Sequence, residues 1–158
     1  EAETAVEIAR SGRIDTVQVI YNIFDQSPEK KLLGVCEESG VGVIARVPFD
    51  EGALTGEITP ETSFARKDWR NRYFSGDRKQ QVQDRVQKLL ELLGEEVQTL
   101  PELALRFCLQ PEAVSTVIPG MRSSAHVVSN LAVSGLPPLN AELMQELSGH
   151  AWEKNFYQ

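Results

Sequence analysis

Ile118-Pro-Gly-Met-Arg-Ser-Ser-Ala-His126 follows an apolar β-type run and opens a helical one, placing a glycine, an arginine and a histidine close together. A glycine there lets backbone approach a ligand, while free helical amides, the positive helix end and a guanidinium favour an anion such as phosphate. The plainer alternative is a tight turn at Gly120 with Arg122 and His126 in solvent. Pro48-Phe-Asp-Glu-Gly-Ala-Leu-Thr-Gly56 also follows an apolar β-type run, and its spaced glycines suit a cradle for another part of the same ligand. Asp50 and Glu51 are adjacent loop carboxylates that commonly point apart, so a glycosidase-type acid/base pair is disfavoured. Phe64-Ala-Arg-Lys-Asp-Trp-Arg-Asn-Arg-Tyr-Phe74 interleaves cations with aromatics. That composition fits a nucleic-acid surface, a lid over an anionic ligand, or aromatic anchors with solvated arginines. HExxH, P-loop, GxSxG and Cys/His zinc spacings are absent, and Gly40-Val-Gly42 precedes a strand where a dinucleotide fingerprint would follow one.

These segments need elements to hold them. Helical spacing of Ala2, Ala5, Val6 and Ala9 predicts a first helix closed by Ser11-Gly12, followed by a buried strand across Asp15 to Asn22. Pro28 opens a second helix with Leu32, Leu33, Val35 and Cys36 on its apolar side; Ser39-Gly40 stops it, and Val41 to Val47 makes a second strand. Pro48 to Gly76 is a polar connection far longer than the usual loop, and such loops are usually functional. Val82, Val86, Leu89, Leu90 and Leu93 predict an amphipathic helix over Asp77 to Val97, followed by a shorter one at Leu100 to Leu109. A third strand spans Val114 to Ile118, Ser123 or Ser124 caps a helix through Leu131, and Asn140 caps a last helix running into the tail, where Trp152, Phe156 and Tyr157 make docking contacts. His150 reads as a packing or surface residue. Strands alternating with helices, each strand apolar on both faces, imply an α/β fold of parallel βα units, whose sites lie at the carboxyl ends of the strands. Three strands alone leave exposed sheet edges.

Composition bounds the function. The chain has 158 residues, 41% hydrophobic, the size of one domain with a real core. Its 23 acidic against 16 basic side chains give a net charge of -7, which disfavours nucleic acid and anionic membrane as partners and favours the lid over the nucleic-acid reading of residues 64–74. Cys36 and Cys108 sit far apart in apolar runs, the pattern of buried free thiols in a reducing compartment, and no run is long and apolar enough to span a membrane. The expectation is a cytoplasmic protein.

Together, Val17-Gln-Val-Ile-Tyr-Asn22, Pro48 to Gly56, Leu103-Ala-Leu-Arg-Phe107, Val117-Ile-Pro-Gly120 and His126 to Asn130 resemble, in order and spacing, the C-terminal part of the aldo-keto reductases. The resemblance runs over essentially the whole chain and is closest to the bacterial and channel-β-subunit-like branch. It implies the C-terminal portion of a (β/α)8 TIM barrel, residues 1–158 being its last three strands with their helices and the N-terminal half of the barrel the missing partner. An open sheet edge also admits a homo-oligomer. The implied activity is NADP-dependent reduction of a small-molecule carbonyl substrate by hydride transfer. The family's catalytic Tyr, Asp, Lys and His belong to the upstream half; Tyr21 does not match the catalytic tyrosine, so no catalytic residue is assigned.

The implied NADP(H) contacts carry over residue by residue. Gln18 matches the glutamine that hydrogen-bonds the nicotinamide carboxamide, and Arg46 stands where an aromatic side chain usually stacks on the ring. Val47, Pro48, Phe49, Asp50 and Glu51 match the loop along the pyrophosphate, with Gly52 holding its turn; Asp50 and Glu51 replace small neutral residues and reach a ligand only by backbone, and Glu57 replaces a lysine common in this branch. Gly120, Met121 and Arg122 match the segment around the adenosine phosphate, His126 the 2′-phosphate region, and Ser129 and Asn130 the turn that meets adenine. Arg122 is the main cation for a 2′-phosphate, so the preference for NADP over NAD rests on it. Two other readings stand beside this one: a regulatory barrel that senses nucleotide without turnover, and an unrelated phosphate-binding barrel enzyme. The latter gains if Gln18 and the loop after Val47 do not face the anion site.

Overall fold

The computed structural model describes residues 2–152. Phe156 and Tyr157 lie outside the described residues. The strands β1 (Thr16–Ile20), β2 (Gly42–Arg46) and β3 (Val114–Ile118) form one parallel sheet in chain order. Helices α1 (Ala2–Arg10) and α2 (Leu32–Ser39) pack on each other, and α2 leads into β2. The connection from β2 to β3 carries the four-residue α3 (Arg70–Tyr73), then α4 (Arg78–Leu90) and α5 (Leu100–Leu109), and α6 (Ser124–Ala132) and α7 (Ala141–Ser148) follow β3.

Register defines the two faces of the sheet. Gln18 pairs with Ile44 and Ile20 with Arg46, while Ile44 pairs with Thr116 and Arg46 with Ile118, so these side chains share one face. The opposite face carries Val17, Val19, Val43, Ala45 and Val117, and in the central strand Val43 and Ala45 are fully buried beneath the helices. On the first face Gln18, Thr116 and Ile118 are exposed, so among the described residues this face is open and the other is the core. The expectation of strands apolar on both faces therefore fails for β3, where Ser115 and Thr116 are exposed. Pairing jumps from Val43↔Val114 to Ile44↔Thr116, which makes Ser115 an extra residue in β3. Gly42 accommodates that bulge, because a Cβ at position 42 would stand 2.6 Å from Ser115 Oγ.

Local chemistry sets the helix ends. Gly40 adopts φ +66° at the end of α2, Thr99 Oγ1 accepts the Glu102 amide at α5, Ser123 Oγ the His126 amide at α6, and Asn140 Oδ1 the Leu143 amide at α7. α4 stops at Leu90, seven residues short of the predicted Val97, because the chain turns at Gly94, whose N–H bonds Val97 O at 2.9 Å, and Arg106 takes the Glu96 carbonyl at 2.6 Å. The second predicted helix is likewise shorter, with a 3-10 turn at Ser27–Lys30 ahead of α2, and α7 ends at Ser148 instead of running into the tail. Cys36 and Cys108 are buried free thiols. No helix among the described residues is long and apolar enough to cross a membrane.

Candidate functional site

Parallel strands bring all three strand-end loops to one edge of the sheet. On the open face, Gln18 is exposed and its amide makes no hydrogen bond among the described residues, and Arg46 lies at the end of β2 on the same face. Both residues therefore face the open side of the strand edge where the ligand loops begin.

The turn after β2 departs most from ordinary backbone. Val47, Asp50 and Glu51 have φ of +57°, +44° and +58°, and Gly52 has +106°. For L residues, and a β-branched valine above all, this left-handed region costs about 1–3 kcal/mol each and persists only where the surroundings impose it. Asn22, fully buried just beyond β1, supplies one restraint: its Nδ2 donates to Val47 O at 2.9 Å, while its Oδ1 accepts the Phe24 and Asp25 amides, each at 2.9 Å. Asn22 thus fastens the first strand-end loop to the second. Phe49 O accepts both Gly52 N and Leu54 N, at 2.9 and 3.0 Å, and closes the turn.

Asp50 supplies another restraint. Its side chain points inward, accepting the Tyr73 hydroxyl hydrogen; Arg78 Nη2 donates to Tyr73 Oη at 2.8 Å and stands 3.8 Å from Asp50 Oδ2. Only the backbone of Asp50 is left for a ligand, as its sequence position implies. Burial pushes its carboxyl from 3.8 up to about 6, against the opposing effects of the Tyr73 hydrogen bond and the Arg78 charge, with Glu51 and Asp25 adding to the rise. A raised folded value means the native state holds the proton more tightly than the unfolded chain. The stabilisation from the neutral carboxyl is complete below the ordinary value and is lost as pH rises through about 6. Asp50→Asn is therefore expected to gain melting temperature relative to wild type as pH rises across that window, read by paired thermal melts; a difference constant with pH contradicts this account of Asp50.

The long connection folds mainly as an anchored flap. Phe64 stacks on Phe74 with ring centroids 5.5 Å apart, Arg70 lies 4.5 Å over Phe64, and Tyr73 and Phe74 are buried. The anchoring reading holds for these aromatics, and Arg66 and Arg72 are exposed, whereas Arg70 is committed to Asp68 through Nη2 at 2.7 Å. That pair holds the half-buried Asp68 carboxyl down to about 2, and Arg122 lowers it further, while Glu51 raises Arg70. Glu51, Arg70, Asp68 and Arg122 therefore form a string of alternating charge from the turn after β2 to the start of α6.

At that start, Pro119 to Arg122 lead into the Ser123 cap, and the Arg122 N–H donates to His126 Nδ1 at 3.4 Å. Gly120, Met121, Arg122, His126 and Ser129 are exposed. Asn130 turns inward, and its Nδ2 is shielded from solvent with no hydrogen-bond partner among the described residues, a donor left for an acceptor. Arg46, residues 47–52 and residues 119–123 thus lie at the carboxyl ends of the strands, Gln18 faces the open side two residues before the end of β1, and Ser129 and Asn130 lie in the last turns of α6, beside Leu105 and Leu136. The residues that composition and spacing passed over are Asn22, Tyr73 and Arg78, which shape this edge from beneath; Asn22 directly after an apolar run was the only local signal. Tyr21 is buried against Phe107, with ring centroids 5.3 Å apart, and donates to Glu29 Oε1 at 2.5 Å. Burial, with the neighbouring Glu29, pushes its phenol well above the usual range.

Parallel βα units with these strand-end loops define a class, and comparison with known proteins gives it a name: the aldo/keto reductase family model matches residues 1–151. The chain belongs to the aldo/keto reductase family. It is 29% identical over 154 residues to an NADH-specific methylglyoxal reductase of Escherichia coli, covering 94% of this chain and 46% of that protein. It is 26% identical to an uncharacterized oxidoreductase of Bacillus subtilis, covering 91% of this chain and 45% of that one. The solved aldo-keto reductase AKR11C1 of Bacillus halodurans in its holo form superposes with a TM-score of 0.72 at 26% identity, covering 99% of this chain and 49% of that one. The glycerol dehydrogenase AKR11B4 of Gluconobacter oxydans, at 24% identity, shares the fold, with a TM-score of 0.71 over 85% of this chain and 41% of that one. The chain spans about half the length of the relatives it matches, and its three parallel strands with flanking helices are part of a (β/α)8 barrel.

Proposed function

We propose that this chain supplies the nicotinamide-nucleotide half of a barrel oxidoreductase that reduces small aldehydes or ketones, the remaining strands pairing with the open edges of β1 and β3. The observation that carries the reading is that the exposed Gln18 amide, without a hydrogen bond among the described residues, faces the open side of a sheet whose strand ends lead into the left-handed turn at residues 47–52 and the α6 start with Arg122. Bound there, the nicotinamide supplies the hydride for carbonyl reduction. In this reading Gln18 bonds the carboxamide and Arg46 lies by the ring. The backbone of Val47, Pro48, Phe49, Asp50, Glu51 and Gly52 follows the pyrophosphate. Gly120, Met121 and Arg122 surround the adenosine phosphate, with His126 beside the 2′ position. Ser129 and Asn130 meet adenine, Asn130 through its shielded amide nitrogen. Two donors without partners fit a ligand rich in acceptors.

The finer choice between cofactors rests on Arg122. Its guanidinium is exposed at the start of α6, where it favours a 2′-phosphate, although Asp68 already draws on its charge and the E. coli relative is NADH-specific. We infer an NADPH preference that Arg122→Ala lowers about tenfold, the worth of one charge-assisted hydrogen bond to the 2′-phosphate. Equal ratios of NADPH to NADH affinity in wild type and variant refute that role. Activity is tested by adding NADPH or NADH and methylglyoxal, or another small carbonyl, to the full-length protein. Loss of reduced nicotinamide that depends on the carbonyl supports the reductase; binding without turnover favours nucleotide sensing.

A further inference from the structure

The side chains of Asp50, Tyr73, Arg78 and Trp152 lie behind the turn after β2 and make none of the nucleotide contacts proposed above. Asp50 and Arg78 are 6% and 5% exposed and Tyr73 is 2% exposed, so a carboxylate, a phenol and a guanidinium are desolvated together. The guanidinium of Arg78 lies between two rings, 4.3 Å from the Tyr73 centroid and 4.5 Å from that of Trp152, and the Trp152 backbone N–H donates to Phe24 O at 2.8 Å. Arg85 lies 4.4 Å over the same indole. One buried cation therefore joins the loop after β1, the turn after β2, the end of α3, the start of α4 and the chain at Trp152. Buried polar groups of this kind are a weak source of stability beside apolar packing of equal volume. They do fix geometry, because each partner accepts the others only in one arrangement.

That geometry bears directly on the turn. Asp50 has φ +44° and is followed by Glu51 at +58°, conformations that relax unless something outside the turn holds them. The Tyr73 hydroxyl donates a hydrogen bond to the Asp50 carboxylate, and among the described residues Asp50 Oδ2 has no hydrogen bond of its own, with Arg78 at 3.8 Å. Removing the phenol hydrogen leaves a buried carboxylate without its donor, a cost relieved only by movement toward solvent that takes the strained backbone with it. We propose that Tyr73 and Arg78 are positioning residues that hold Asp50, and through it the backbone of residues 47–52, in the shape that receives the dinucleotide pyrophosphate. The inference rests on the nucleotide-binding reading above.

The test uses the full-length protein, NADPH and NADH as probes, and the variants Tyr73→Phe, Arg78→Gln and Asp50→Asn, with Tyr73→Phe/Asp50→Asn as the double. Tyr73→Phe keeps the ring stack and is expected to weaken affinity for the preferred nucleotide about tenfold and raise its KM in step, with kcat at saturation within about twofold. The double variant is expected to bind no more weakly than the weaker single, because both changes act on the one contact between positions 50 and 73. Wild-type affinity retained in Tyr73→Phe and Arg78→Gln overturns the proposal. So do losses that add across the double variant, or a fall in kcat with unchanged KM. If Tyr73→Phe fails to fold, Arg78→Gln and Asp50→Asn decide on the same readouts, and failure of all three to fold overturns positioning in favour of a purely structural cluster. If wild type binds neither nucleotide, the nucleotide reading fails first and takes this inference with it.

Discussion

Replacing Asn22 with alanine is expected to cost about 3 kcal/mol of stability and to weaken nucleotide binding together with it. The side chain is fully buried and serves three backbone groups, Val47 O and the amides of Phe24 and Asp25. A methyl group serves none of them. Each buried group left without a partner costs about 1–3 kcal/mol, and water entering the vacated space recovers part of the sum. In a domain of this size the loss lowers the melting temperature by roughly 10 °C. Val47 is also the first residue of the left-handed turn, and with only the Asp50 amide left on its carbonyl the turn loses its tie to the first strand-end loop, so residues 47–52 relax. Asn22→Asp separates the two effects: it keeps the acceptor for Phe24 and Asp25 but turns an oxygen toward Val47 O, so nucleotide affinity suffers more than its share of the stability loss. Thermal melts and nucleotide titrations on both variants check this, and a melting temperature for Asn22→Ala within a degree or two of wild type contradicts it.

Arg106→Ala is expected to destabilise by a similar amount, about 3 kcal/mol, through a different part of the molecule. The side chain, 4% exposed, leaves α5 and forks: Nη1 donates to Glu96 O at 2.6 Å and to Glu102 Oε1 at 3.0 Å, and Nη2 donates to Pro137 O at 3.0 Å. It therefore fixes the turn that ends α4 and the segment that leads from α6 to α7. Alanine strands two carbonyls and opens a cavity, whereas Glu102, partly exposed, recovers water and softens the loss. Lysine is expected to restore less than half, because an ammonium on one stem cannot reach both carbonyls as the planar fork does. Denaturant melts give the comparison; full recovery by Arg106→Lys shows that charge, not the fork, is what matters there.

Legibility in the sequence followed the range of the interactions. Val82, Val86 and Leu89 are spaced for a buried helical face and are buried. Ser123 and Asn140 carry the short side chains that cap helices, and both do. The order of strands and the ligand segments at their ends came from the same local patterns, joined by the resemblance of the ordered set. The end of α4 at Leu90 was not legible, since Leu92 and Leu93 continue the apolar pattern and the competitor for Glu96 O, Arg106, lies ten residues onward. Nor was the inward turn of Asp50. A loop carboxylate beside Glu51 looks solvated, and its partners stand 23 and 28 positions away, where no periodicity links them. The left-handed Val47 was equally hidden: valine favours extended backbone, and the partners that hold its carbonyl are the Asp50 amide and the Asn22 side chain from the neighbouring strand-end loop, 25 positions away.

The central claim is that this strand edge binds a nicotinamide dinucleotide. Its most direct test is titration of NADPH, with NADH alongside, into the full-length protein, followed by the change in nicotinamide fluorescence. Saturable binding that weakens in Asn22→Ala and loses its NADPH preference in Arg122→Ala is the result expected. Absence of saturable binding by either nucleotide to a protein that melts cooperatively contradicts the claim.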